Sequence, residues 1–141
     1  MTVNLTRVVR FSAAHRYYRP EWSTERNVAA FGSCANEHGH GHNYECHVTV
    51  KGVPAASTSM VMNLKELDQL LQRRIVAPLD HQHLNYVVPQ FASGMEIPTA
   101  EALAVHFWNE LSSELPDGVT LVRVRVHEDD TLHADYYGET S

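Results

Sequence analysis

The stretch His40-Gly-His-Asn-Tyr-Glu-Cys-His-Val-Thr-Val50 alternates, with His40, His42, Tyr44, Cys46, Val48 and Val50 on one side and Asn43, Glu45, His47 and Thr49 on the other. Period two over this length marks a half-buried strand, because successive side chains of a strand point to opposite faces. The apolar side is the core side, so His40 and His42 end an inward row while His47 points outward. Upstream, the odd positions repeat the pattern: Val3, Leu5, Arg7, Val9, Phe11, Ala13 and His15 form a largely apolar face that also ends in a histidine. Two strands that each finish on core-facing histidines set both the fold and the chemistry.

Working outward, residues 16–33 carry aromatic, charged and glycine residues without sustained period and read as a long loop, a place where function often resides. After a turn-like stretch, Asn63-Leu-Lys-Glu66 resembles a capping box, and Leu64, Leu67, Leu71 and Ile75 are spaced as one helical stripe until Pro78. A linker holding Asp80-His81 leads to Thr99, which can cap a second helix with the stripe Leu103, Phe107, Leu111 and Leu115. Residues 119–127 and 132–137 read as a closing hairpin, and Glu128 follows Val122, Val124 and Val126 on one face, a carboxylate ending an apolar row. The order strand, strand, helix, helix, strand, strand favours an α+β fold, with two helices on one face of a four-stranded antiparallel sheet. So small a sheet leaves edges to pair or cover, and closure into an oligomeric β-barrel is the expected remedy.

A chain of 141 residues suits a single domain over 1–141, and 20% charged with 43% apolar residues is ordinary globular composition. Acidic residues outnumber basic ones 17 to 11, and no basic cluster exceeds Arg73-Arg74, so no nucleic-acid partner is expected. No run reaches the roughly 18 apolar residues of a membrane span, and residues 1–10 lack a signal-peptide core; no membrane partner and a cytoplasmic location are the expectation. Cys34 and Cys46 are too few for a disulfide framework and would remain reduced there.

Catalytic zinc takes three protein ligands and keeps one position open, and His15, His40 and His42, all ending inward faces, fit that description. His38 and His47 are left out by spacing and parity. Cys34 lies between glycine and polar neighbours; beside a cation and an imidazole its thiolate would be favoured, making it a base, whereas a free cysteine is otherwise packing. Cys46 has core parity and reads as packing. Asp80-His81 is either a turn or, if it meets Cys34 in space, a base-and-orienter pair. Glu128 is either a hairpin-end acid or an acceptor for the paired N–H donors of a planar heterocycle.

Taken together, Phe11-Ser-Ala-Ala-His15, Phe31-Gly-Ser-Cys34 running into His40-Gly-His42-Asn-Tyr44, Leu79-Asp80-His81, Pro98-Thr99-Ala-Glu101 and His127-Glu128 resemble the 6-pyruvoyl-tetrahydropterin synthase family across nearly the whole chain. The resemblance implies the tunnelling fold, in which trimers close a β-barrel and two trimers stack into a homohexamer with active sites at subunit interfaces. It implies zinc (Zn2+) on His15, His40 and His42, Cys34 as base, Asp80 and His81 as its proton relay, and Glu128 anchoring a pterin ring with Thr99 beside it. The implied small-molecule substrate is 7,8-dihydroneopterin triphosphate, from which triphosphate is eliminated with internal redox and no external redox cofactor.

Five residues separate Cys34 from His40, which resembles the pyruvoyl branch more than the 6-carboxy-tetrahydropterin synthases, whose spacer is shorter. A third branch cleaves the side chain to 6-hydroxymethyl-7,8-dihydropterin and carries a glutamate where Glu37 stands here, so the chain resembles members holding both bases. Arg16, Arg19, Arg26 and Lys51 are triphosphate candidates on charge alone. The competing readings are the carboxy branch and, from another class, a pterin-binding or zinc-stabilised oligomer without catalysis. Cys34, Asp80, His81 and Glu128 together argue against the last, since structural zinc needs none of them.

Overall fold

A computed structural model describes residues 1–139 and shows a five-stranded mixed sheet covered on one face by helices. The first strand, β1 (Val3–His15), pairs antiparallel with β2 (His40–Gly52) along its full length, Val3 opposite Gly52 and His15 opposite His40. On the far side of β2 lies β4 (Thr120–Asp129), followed by β5 (Leu132–Tyr136), both antiparallel to their neighbours. These are the four expected antiparallel strands. The fifth, β3 (Gln82–His83), runs parallel to Ala13 and Ala14 of β1 and makes the order β3-β1-β2-β4-β5, so the expected four-stranded antiparallel sheet is corrected to a mixed one. Two residues show no period, which is why β3 left no mark in the pattern.

The expected loop over 16–33 contains a helix, α1 (Thr24–Phe31), and a 3₁₀ turn, Gly32–Ala35. Its signal was the cap alone: Ser23 Oγ accepts the Arg26 N–H at 3.1 Å. Only Asn27 of α1 is buried, where its side chain bonds the backbone of Arg19 and Ser23, so no apolar stripe exists to be read.

The two expected helices are present. Asn63 Oδ1 caps α2 (Leu64–Leu71) by accepting from Glu66 N–H at 3.2 Å. The chain then continues through a π-helical turn, Gln72–Val76, into α3 (Ala77–Leu79), so Pro78 does not end the helix where the pattern placed its stop; the widened π turn lies just before the proline, which cannot donate to that turn. Two short helices, α4 (Leu84–Val87) and α5 (Pro89–Ala92), precede α6 (Ala100–Leu111), which Thr99 caps through the Ala102 N–H at 3.1 Å. Leu67, Leu71 and Ile75 of the first stripe and Leu103, Phe107 and Leu111 of the second are buried against Phe11, Tyr44, Cys46, Val48, Val124 and Val126 of the sheet. Leu64 is the exception, exposed at the first turn of α2. No described helix is long and apolar enough to cross a membrane.

Candidate metal centre

Antiparallel pairing brings the two histidine-ending faces together. His15 and His40 are direct partners, and His42 faces Ala13 one inward step along the same side. The three imidazoles form a triangle with ring centroids 5.0, 4.8 and 4.8 Å apart. The approach is tight at Gly39, whose φ is +71°: a Cβ there would lie 2.1 Å from the His15 carbonyl oxygen. Gly39→Ala combines a left-handed backbone with that clash and is expected to cost more than about 2 kcal/mol in chemical denaturation. A loss below 0.5 kcal/mol would show that the crossing relaxes freely.

His15 is fully buried, and its Nδ1 lies 2.7 Å from the Tyr44 hydroxyl. When Nδ1 carries the proton and donates to the Tyr44 oxygen, the Nε2 lone pair is left facing the cluster, the arrangement by which ligating imidazoles are oriented. Tyr44 itself is fixed by stacking on Phe11 at 4.9 Å. Burial, then the neighbouring His42 and His40, push His15 down to about 3, against a smaller upward pull from the Pro98 carbonyl. It is a neutral imidazole at ordinary pH.

That shift predicts a pH dependence for protein freed of metal by a chelator. The unfolded chain takes up a proton at His15 near pH 6.5 and the folded chain only near 3, so stability is lost as pH falls through this window at about 1.4 kcal/mol per pH unit. His47 and His106, which burial also holds low, act in the same sense. Urea midpoints between pH 7 and 5 measure the slope. A flat profile contradicts the buried neutral imidazole.

Glu128 ends the apolar row of β4 and is 7% exposed. Its Oε1 lies 2.9 Å from His42 Nε2 and 3.8 Å from His15 Nε2, and its Oε2 accepts from the Tyr17 hydroxyl at 3.3 Å. One ligand atom from each of His15, His40, His42 and Glu128 lies within 4.8 Å of the others. His15 Nε2 is buried without a hydrogen-bond partner, and His42 Nε2, also buried, faces Glu128 Oε1 at 2.9 Å without the direction of a hydrogen bond, a costly state unless something accepts their lone pairs. These two buried imidazole nitrogens, a third imidazole and a carboxylate make a donor set suited to a borderline divalent cation.

Cys34 lies on the 3₁₀ turn, half-buried, with its carbonyl accepting the Tyr17 N–H at 2.8 Å. Burial and the charge of Glu128 push its thiol upward. The expected thiolate is tied to a cation beside it; in the protein alone burial, and then the negative charge of Glu128, favour the thiol. Tyr17, which sequence reasoning passed over, contacts both Glu128 and the His15 ring, 4.8 Å between centroids. It lies two residues beyond the end of β1, where strand parity no longer assigns a face. Tyr44 stood on the core side of β2 but gave no hint that it would hold His15.

The remaining residues lie apart. His81 Nδ1 is 2.9 Å from Asp80 Oδ2, while Asp80 Oδ1 accepts the Ser12 N–H at 2.9 Å. That backbone bond and His81 hold Asp80 below the usual carboxylate range. The His81 side chain is 82% exposed on a backbone with φ +62°, beside Ser12, Gly41 and Asn43, and makes no hydrogen bond to Cys34 among the described residues. Glu37 is exposed in the turn before β2 and lines a cavity of about 230 Å³ with Arg16, Tyr18, His83 and Tyr86, outside the histidine group. Thr99 follows Pro98, whose carbonyl faces His15. Arg16 and Arg26 stack on Tyr18 and Trp22, and Lys51 stands at the far end of β2 opposite Asn4.

A helix-backed mixed sheet whose central strands present three histidines and a glutamate to one face defines an α+β protein with a side-chain cluster able to hold a metal ion. The family model for 6-pyruvoyl tetrahydropterin synthase matches residues 4–139, and the chain belongs to that family. It is 44% identical over 135 residues to the 6-pyruvoyl tetrahydrobiopterin synthase of Homo sapiens, covering 96% of this chain and 91% of that one. A 6-carboxy-5,6,7,8-tetrahydropterin synthase of Aquifex aeolicus is 27% identical across 99% of this chain and 100% of its own. The solved 6-pyruvoyl tetrahydropterin synthase of Caenorhabditis elegans superposes with a TM-score of 0.89 at 30% identity, covering 99% of this chain and 97% of that chain.

Proposed function

We propose that this chain is a zinc-dependent synthase that converts 7,8-dihydroneopterin triphosphate to 6-pyruvoyl-tetrahydropterin by triphosphate elimination and internal redox. The observation that carries the reading is the buried, neutral His15 whose unpartnered Nε2 meets His40, His42 and Glu128. His15, His40 and His42 hold the ion, which when bound supplies a Lewis acid that acidifies a coordinated hydroxyl and its adjacent C–H. Three imidazoles leave a position open for substrate, and Glu128 is then free to take two N–H donors of the pterin ring. Tyr17 steadies that carboxylate through Oε2.

Cys34 takes the carbon-bound proton. Positive charge at the histidines offsets Glu128 and lowers the thiol toward its working range. Asp80 orients His81 through Nδ1, and the pair carries the proton away from a Cys34 of a neighbouring subunit, which accounts for its exposure in one chain. A homohexamer of two trimers closes the edges left by β3 and β5, and with reduced Cys34 and Cys46 the reading includes a cytoplasmic location. Glu37 acts as the base for side-chain cleavage to 6-hydroxymethyl-7,8-dihydropterin.

The carboxy branch is the alternative, favoured only by the full-length match to the Aquifex aeolicus protein. Metal analysis and incubation with 7,8-dihydroneopterin triphosphate, read by product mass, separate the readings. Zinc with a triphosphate-free pyruvoyl product is expected. Zinc-loaded protein that turns nothing over would overturn the proposal.

A further inference from the structure

On the sheet face away from the helices, a second group of ligand-bearing side chains comes together across three adjacent strands. Glu45 of β2 is the direct partner of His127 of β4, and His127 is the direct partner of His133 of β5. His47 stands two residues along β2 from Glu45, on the same face. Directly paired side chains on one face start only about 5 Å apart at Cβ, so this row is forced together by register. The His47 and His127 rings lie 4.7 Å apart between centroids and those of His127 and His133 4.8 Å apart.

We propose that Glu45, His47 and His127 form a second binding site for a borderline divalent transition-metal cation such as zinc. One ligand atom from each lies within 4.8 Å of the other two, and His47 Nε2 is 3.6 Å from Glu45 Oε2. Ligand atoms on one tetrahedral zinc sit roughly 3.3 Å apart, so that pair is already near its working separation. His47 Nε2 is buried without a hydrogen-bond partner, a donor set waiting for an acceptor of its lone pair.

The charged neighbours support this assignment. Arg10 of β1 engages only Glu45 Oε1, at 2.9 Å through Nε, and so turns Oε2 toward His47. Arg125 of β4 is committed to Asp135 of β5 by two hydrogen bonds of 2.7 and 3.0 Å, which offsets its charge. Arg123 lies one further step along β4, opposite Thr49, and His133 flanks the open side of His127. The site is separate from the first because odd-numbered residues of β2 face away from His40 and His42.

Zinc stoichiometry of the full-length protein tests the proposal, read by calorimetric titration and by metal analysis after dialysis. Wild type is expected to bind two Zn2+ per chain, and Glu45→Gln, His47→Gln and His127→Gln one each, with affinity for the lost ion down at least tenfold. His42→Ala should keep the second ion. In that His42→Ala background Zn2+ should raise the melting temperature, and adding Glu45→Gln should abolish the rise. Glu45→Gln is the decisive variant, because Glu45 is half-exposed and its loss does not disturb the core. A Zn2+ count that Glu45→Gln leaves unchanged, or a single Zn2+ in wild type that His42→Ala abolishes, overturns the second site.

Discussion

His42→Ala is expected to lower turnover of 7,8-dihydroneopterin triphosphate by at least about 100-fold while the fold survives. The residue is half-buried and not part of the packed centre of the sheet, so truncation costs ligation more than stability. What it removes is the nitrogen that sits 2.9 Å from Glu128 Oε1 and faces His15 across a 4.8 Å ring separation. A two-imidazole remnant binds a borderline cation far more weakly, and changes even to the partners that orient ligands cost 10–100-fold in affinity or activity. Tyr44→Phe is the graded companion. It keeps the stack on Phe11 but removes the oxygen 2.7 Å from His15 Nδ1, so zinc affinity should fall by about tenfold with little loss of folded protein. Equal zinc affinity in wild type and His42→Ala would remove the histidine triangle from the mechanism.

The second large effect is a split of products between two bases. Cys34→Ala should reduce pyruvoyl product by about 1,000-fold, because the proposed base, a thiol electrostatically coupled to Glu128, disappears. Glu37→Ala should leave that product within about twofold and eliminate the hydroxymethyl product. Thiol and carboxyl differ by roughly four units in reference pKa, so the two bases suit different protons. Glu37 also lies in the cavity with Arg16 and His83, away from the histidine group, which gives it a different line of approach to a bound side chain. If Glu37→Ala leaves every product unchanged, the two-base account fails. If Cys34→Ala retains the pyruvoyl rate, the base is another group.

Strand parity carried most of the site. A period of two needs no tertiary information, and it placed His15, His40, His42 and Glu128 on one face; the register then made them neighbours. Parity failed where the chain is short or polar. The segment Gln82–His83 is too brief to show a period, and Thr24–Phe31 buries only a self-satisfied asparagine, so neither announced itself. Tyr17 lay beyond the strand that would have given it a face. The upward push on the Cys34 thiol comes from its burial and then from Glu128, and the sequence carried the cysteine without either. Asp80 and His81 were legible as a pair, since adjacency suffices for their 2.9 Å contact, but not the exposed position of His81 beside Ser12, Gly41 and Asn43.

The stack of Phe11 on Tyr44, and the bond from Tyr44 to His15, leave the centre without a joint of its own. A catalytic group mounted on a loop can fail while the body of the protein survives. Here the aromatic pair that seals the interior also aims the imidazole, so loosening one misaims the other. Heat inactivation and melting should therefore be a single event, with no inactive yet folded state between them.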